Sequence, residues 1–182
     1  RALARDSEGT AWTLVTQDSS DAVQIPVEEI KSNCENRQHV YFVDGDLKVE
    51  PNEYEINYST GSSGCIFVIS GDLIISEGEY KSEESDIPQY DLVRGYFIAD
   101  GVIDLEFGDR GKETRDGLKV IGGLFATGGD KSVKLSRSLQ LKDNLFYPTL
   151  IVFHDARFLD ISREILGDSL GGGYIRDVGF VE

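Results

Sequence analysis

The sequence predicts an all-β chain wound as a single-stranded β-solenoid (β-helix) of about four to five rungs, with an N-terminal cap and a short C-terminal helix. Three observations lead there. An apolar, aromatic-led run breaks at a glycine and resumes four times: Tyr41-Phe42-Val43-Asp44-Gly45-Asp46-Leu47, Ile66-Phe67-Val68-Ile69-Ser70-Gly71-Asp72-Leu73, Tyr96-Phe97-Ile98-Ala99-Asp100-Gly101-Val102-Ile103 and Leu118-Lys119-Val120-Ile121-Gly122-Gly123-Leu124-Phe125. With Gly45, Gly71, Gly101 and Gly122 as phase markers, the intervals are 26, 30 and 21 residues, each the size of one coil. The variation falls in polar inserts, 77–91 and 108–117, as expected where loops leave one corner while the strands stay in register.

Residues 1–37 read as a cap segment over the open end of the coil. Ala11-Trp12-Thr13-Leu14-Val15-Thr16 alternates as a short strand does, and Ser19-Ser20-Asp21 reads as a turn. Pro26 suits a first helical position, and Val27-Glu28-Glu29-Ile30-Lys31 then predicts one or two helical turns with acidic residues where the helix dipole favours them.

Residues 38–142 read as the solenoid. In Leu47-Lys48-Val49-Glu50 the apolar side chains point one way and the charged ones the other. Glu53-Tyr54-Glu55-Ile56-Asn57-Tyr58 predicts a half-buried strand, 60–64 a loop, and Cys65 to Ile69 a strand buried on both faces. Val133 to Leu141 alternates again, with apolar residues at 133, 135, 139 and 141.

Residues 143–182 read as a strand, a helix and a tail. The run Leu145 to Phe153 is strongly apolar, and Ala156 to Leu166 carries apolar residues near helical spacing, stopped by Gly167. After Gly171-Gly172-Gly173, residues 174–181 suit a short strand or a docking tail. Ile175, Val178, Phe180 and Val181 form a candidate assembly segment that could add to a neighbour's sheet edge.

At 182 residues and 40% hydrophobic content, the chain supports one substantial core. Eighteen basic against 33 acidic residues leave a net charge of −15, which repels a nucleic-acid backbone or an anionic lipid surface and excludes both as main partners. No stretch approaches the length of apolar sequence a membrane span needs. The chain holds no methionine, even at position 1, which reads as a processed or excised segment.

Cys34 precedes the first repeat strand and Cys65 opens the second, so in stacked coils their sulfurs could lie one above the other. A disulfide would close a loop of about 30 residues, contribute roughly 3–4 kcal/mol and imply an oxidising compartment. The alternative is two separate buried thiols. Metal binding is disfavoured by the absence of a CxxC and of any nearby histidine but His39.

No catalytic constellation assembles. His154 sits beside Asp155 and near Arg157, a base with an orienting acid in principle, yet no GxSxG accompanies it, and a structural histidine is the simpler reading. Asp44, Asp46, Asp72, Asp100 and Asp104 recur near corner glycines. They could stack as a carboxylate ladder for calcium or glycosidase chemistry, or simply favour turns. Gly128-Gly129-Asp130-Lys131-Ser132 fails the phosphate-loop order. Tyr54, Tyr58, Tyr80, Tyr90 and Tyr96 would make a sugar-stacking platform only if several shared one exposed face. The sequence calls for no metal and no cofactor.

Val40 to Leu47, Gly64 to Leu73, Arg94 to Gly101 and Leu118 to Ala126 resemble glycine-punctuated β-solenoid segments of large surface or secreted proteins from candidate-phyla (Patescibacteria-type) bacteria. The resemblance covers roughly residues 34 to 160 and includes both cysteines. A looser resemblance is to bactofilin-type polymerising β-helices, from which this chain departs in its polar inserts, cysteines and C-terminal helix. The first resemblance implies an extracellular or cell-surface structural domain and carries no catalytic residues.

The expectation is therefore a non-catalytic extracellular structural or interaction module, a subunit of a surface assembly or filament through self-association. The alternative is a glycan-binding or glycan-cleaving β-helix with the two inserts as cleft walls.

Overall fold

The computed structural model describes residues 10–51, 63–76, 89–105, 116–128, 132–135 and 145–155. In chain order these form β1 (Thr10–Thr16), α1 (Val27–Cys34), β2 (Gln38–Asp44), β3 (Leu47–Val49), β4 (Gly64–Ile69), β5 (Leu73–Ile75), β6 (Gln89–Ala99), β7 (Ile103–Leu105), β8 (Asp116–Ala126), β9 (Val133–Leu135) and β10 (Leu150–His154).

Every strand pairing is parallel. One sheet has the order β1-β2-β4-β6-β8-β10 and the other β3-β5-β7-β9. Each coil thus gives one strand to the larger sheet, turns a corner, and gives a three-residue strand to the smaller. The four successive strand pairs make a β-solenoid of about three turns. Coils that repeat the same path place each residue over its equivalent, which is why the pairing is parallel and in register.

The period-2 alternation becomes two faces of the larger sheet. Inward, Tyr41, Phe67 and Phe97 are fully buried and stack with ring centroids 5.4 and 4.8 Å apart and planes within 8°. Such pairs add about 0.5–1.5 kcal/mol each beyond the area they bury. Facing them across the coil are the columns Leu47–Leu73–Ile103 and Val49–Ile75–Leu105, all without solvent exposure. Those columns end on β9, where Val133 and Leu135 are each 49% exposed.

The N-terminal segment joins the larger sheet. β1 is the first strand of the larger sheet, paired with β2 from Thr10↔Gln38 to Thr16↔Asp44. Helix α1 begins one residue later than the sequence suggests, at Val27, because Pro26 contributes its C=O to the N–H groups of Glu29 and Ile30. Glu28 and Glu29 occupy the first turn as expected, and Ile30 and Cys34 enter the main core.

Two expectations need correction. The corner glycine after β8 is Gly128, not Gly122: a Cβ on Gly71, Gly101 or Gly128 would press on the carbonyl of Gly45, Gly71 or Gly101 below it, so these four form one column. The third interval is accordingly 27 residues, from 101 to 128, and no coil is as short as 21. Gly122 instead lies inside an 11-residue strand opposite Gly95, both with positive φ (140° and 152°). There the backbones approach so closely that a Cβ on Gly122 would run into the Gly95 carbonyl. The polar inserts are also shorter than read, since β6 starts at Gln89 and β8 at Asp116.

The strand expected over 53–58, the helix over 156–166 and the tail over 174–181, with its candidate assembly residues Ile175, Val178, Phe180 and Val181, lie outside the described residues. Of the run 133–141, only β9 is described, and the apolar run from Leu145 resolves into a turn followed by β10.

Candidate functional site: corner columns and the outer sheet face

The recurring aspartates are bound into the corner itself. Gln17 Oε1 accepts the backbone N–H of Asp46 at 2.8 Å, Asp46 Oδ1 accepts that of Asp72 at 2.8 Å, and Asp72 Oδ1 accepts that of Val102 at 2.7 Å. The column passes one acceptor to each coil above, and its side-chain part ends at Val102, whose side chain has no acceptor to offer. Beside it, Ser70 Oγ donates to Asp44 Oδ1 at 3.3 Å and accepts the Gly45 N–H at 2.9 Å, and Thr127 Oγ1 donates to Asp100 Oδ1 at 2.7 Å. Asp104 pairs with Lys134 across β7 and β9. The aspartates are therefore occupied one by one with the adjacent coil. Among the described residues, no three His, Cys, Asp or Glu side chains converge as a metal site would.

The disulfide joins Cys34 to Cys65, with Cα atoms 5.4 Å apart and both residues fully buried. This is the expected disulfide, linking the segment before the first repeat strand to the start of the second. The residue stacked on Cys65 is His39, while Cys34 ends α1, so the bond ties the helix to the second strand of the main core.

The two histidines are far from equivalent. His39 is 3% exposed, shares a 2.9 Å hydrogen bond between Nε2 and Thr13 Oγ1, and packs on the Tyr41 ring. Its Nδ1 is buried with no hydrogen-bond partner among the described residues, and burial, reinforced by the nearby Arg37 charge, lowers its pKa to about 4. Tyr41 is pushed up to about 12, chiefly by burial, while Asn33 Nδ2 donates to its hydroxyl at 2.8 Å. His154 ends β10, exposed, its ring edge-on to Tyr96 at 6.4 Å.

The outward face of the larger sheet is apolar along two columns, Trp12–Val40–Ile66–Tyr96 and Leu14–Phe42–Val68–Ile98–Phe125. Val40, Ile66 and Tyr96 are buried at its centre, whereas Trp12 (44%), Leu14 (59%) and Phe125 (46%) are exposed at its margins. The Tyr96 ring lies over Gly123 and against Phe125, and the Tyr90 ring covers Gly117 while its hydroxyl donates to the Pro148 carbonyl at 2.7 Å. Further along the face, Lys119 Nζ stands 4.9 Å from the centre of the exposed Phe153 ring. Of the tyrosines expected as a platform, Tyr96 is buried and Tyr90 is partly covered; Tyr54, Tyr58 and Tyr80 lie outside the described residues.

Sequence reasoning read burial on both faces only for Cys65 to Ile69, which β4 bears out, and did not extend it to the strands on either side, where alternation predicts one buried side and one polar side. The signal was present in the repeats: Val40, Ile66 and Tyr96 are apolar where a solvated strand face would be polar. It also placed Asp91 in a polar insert, whereas that residue is 1% exposed within β6.

Comparison with protein-family models, with curated proteins and with solved structures finds no match to this chain.

Proposed function

We propose that this chain is a non-catalytic structural or interaction module of an extracellular or cell-surface protein, acting by shape and by association. The observation that carries the reading is the corner column, in which Asp46 and Asp72 spend their carboxylates on backbone N–H groups of the next coil. A carboxylate so held orders the coil and is not presented to a substrate. The intramolecular disulfide agrees with an oxidising compartment. The resemblance to surface-protein solenoid segments points the same way.

The alternative, a glycan binder or glycan-cleaving β-helix, draws on the exposed rings of Phe125 and Phe153 and the Lys119 cation beside the latter. Incubating the purified chain with a panel of neutral and acidic polysaccharides decides between them. The module reading expects no release of reducing sugar and no retention on the immobilised polymer. Cleavage or retention would overturn it in favour of the glycan reading.

A further inference from the structure

The geometry points to β1 as a self-complementary edge, through which a second copy of this chain adds antiparallel about a twofold axis at Thr13. β1 is the outermost strand of its sheet, and among the described residues nothing pairs with its outer edge. The Gln17 N–H donates to Asp44 on β2. Because successive residues of a strand point their backbone groups to opposite sides, Thr13 and Val15 also bond towards β2. Thr10, Trp12, Leu14 and Thr16 direct their N–H and C=O groups to the open side.

The strand lacks the devices that normally blunt such an edge. Thr-Ala-Trp-Thr-Leu-Val-Thr contains no charge, no proline and no glycine. Two large apolar side chains, Trp12 at 44% and Leu14 at 59% exposure, stand on its outward face.

Its pattern matches itself when reversed. About Thr13, the antiparallel register sets Trp12 opposite Leu14 of the partner subunit, Val15 opposite Ala11 of the partner subunit, and Thr16 opposite Thr10 of the partner subunit. Residues directly opposite in an antiparallel pair share a face, so the indole meets an isobutyl group and the outer apolar columns continue across the axis. All four outward-directed residues then fall in hydrogen-bonded pairs, giving about eight new backbone bonds. The contact is isologous and closes at two copies.

This inference rests on the module reading for its premise that association is the function, and its test is separate. Sedimentation velocity of the full chain across the micromolar range is expected to show a dimer, and Leu14→Lys to raise its dissociation constant by at least about tenfold, since a charge is set into an apolar strand pair. Under mild oxidant, Thr13→Cys is expected to form an intersubunit disulfide and Trp12→Cys not to, because only residue 13 faces its own copy. Circular dichroism verifies that each variant is folded. A wild-type chain that stays monomeric, or an oligomer indifferent to Leu14→Lys in which Thr13→Cys cross-links no more than Trp12→Cys, would overturn the pairing. Either result leaves the module reading standing, because that reading falls to glycan retention or cleavage instead.

Discussion

Asp46 Oδ1 accepts the backbone N–H of Asp72 at 2.8 Å, and the two residues are equivalent positions in successive coils. One aspartate therefore ends its own corner and begins the next, so that the turn chemistry of each coil depends on the coil beneath it. Asp72 repeats the act towards Val102.

Asp72→Ala leaves the Val102 N–H without its acceptor and is expected to destabilise the chain by about 1–2 kcal/mol. Asp72→Asn, which keeps a side-chain oxygen at the same reach, should recover at least about half of that loss. Urea unfolding of the two variants beside the wild type measures both, through a shift in midpoint at constant slope.

The Tyr96 ring occupies the space that a Cβ on Gly123 would need. Gly123→Ala should therefore destabilise the wild-type background by about 1–3 kcal/mol, as overpacking does, and cost less once Tyr96→Ala has removed the nearest ring, leaving only that of Phe125 to give way. A double-mutant cycle reads the coupling, expected at about 1–2 kcal/mol. Additive single effects would contradict the covering of Gly123 by Tyr96.

Because Cys34 and Cys65 are fully buried in the main core, a thiol reagent should label the native chain only after both reduction and unfolding. The pair spans 31 residues of sequence, so the Cys34→Ala/Cys65→Ala double variant is expected to lose about 3 kcal/mol relative to the oxidised protein. Thermal unfolding with and without reductant provides the comparison, and the double variant should be indifferent to reductant.

His39 has a folded-state pKa of about 4 against an ordinary 6.5, so folding favours its neutral form. Its contribution is whole above about pH 6.5, declines as pH falls through that value, and is exhausted below about pH 4, the total being at most about 3 kcal/mol. Stability measured by denaturant titration at successive pH values should show this loss. His39→Gln should flatten the His39 part of the slope, leaving only what the carboxylates contribute.

The sequence by itself determined the local units: strands from alternation, the glycine-marked corner, the short acidic-started helix and the pair of cysteines. These are legible because period-2 patterning, a tight backbone approach and a helix start depend on residues close in the chain. Legibility failed where the cause lay in the neighbouring coil. Gly122 and Gly128 look alike as letters, yet only stacking shows that one sits over the Gly101 carbonyl at a corner and the other over Gly95 inside a strand. For Asp46 and Asp72 the sequence favoured turn formation over calcium or catalytic roles, but which groups the carboxylates bind appeared only with the N–H above each in place. The disulfide partner was foreseen, but that Cys34 closes a helix docked on the core was decided by Ile30 and Cys34 entering the core beside β4. Corners and strands are properties of a few consecutive residues; the acceptor for each backbone group and the cover for each apolar face come from residues some 26 to 30 positions away, and only the wound chain brings those together.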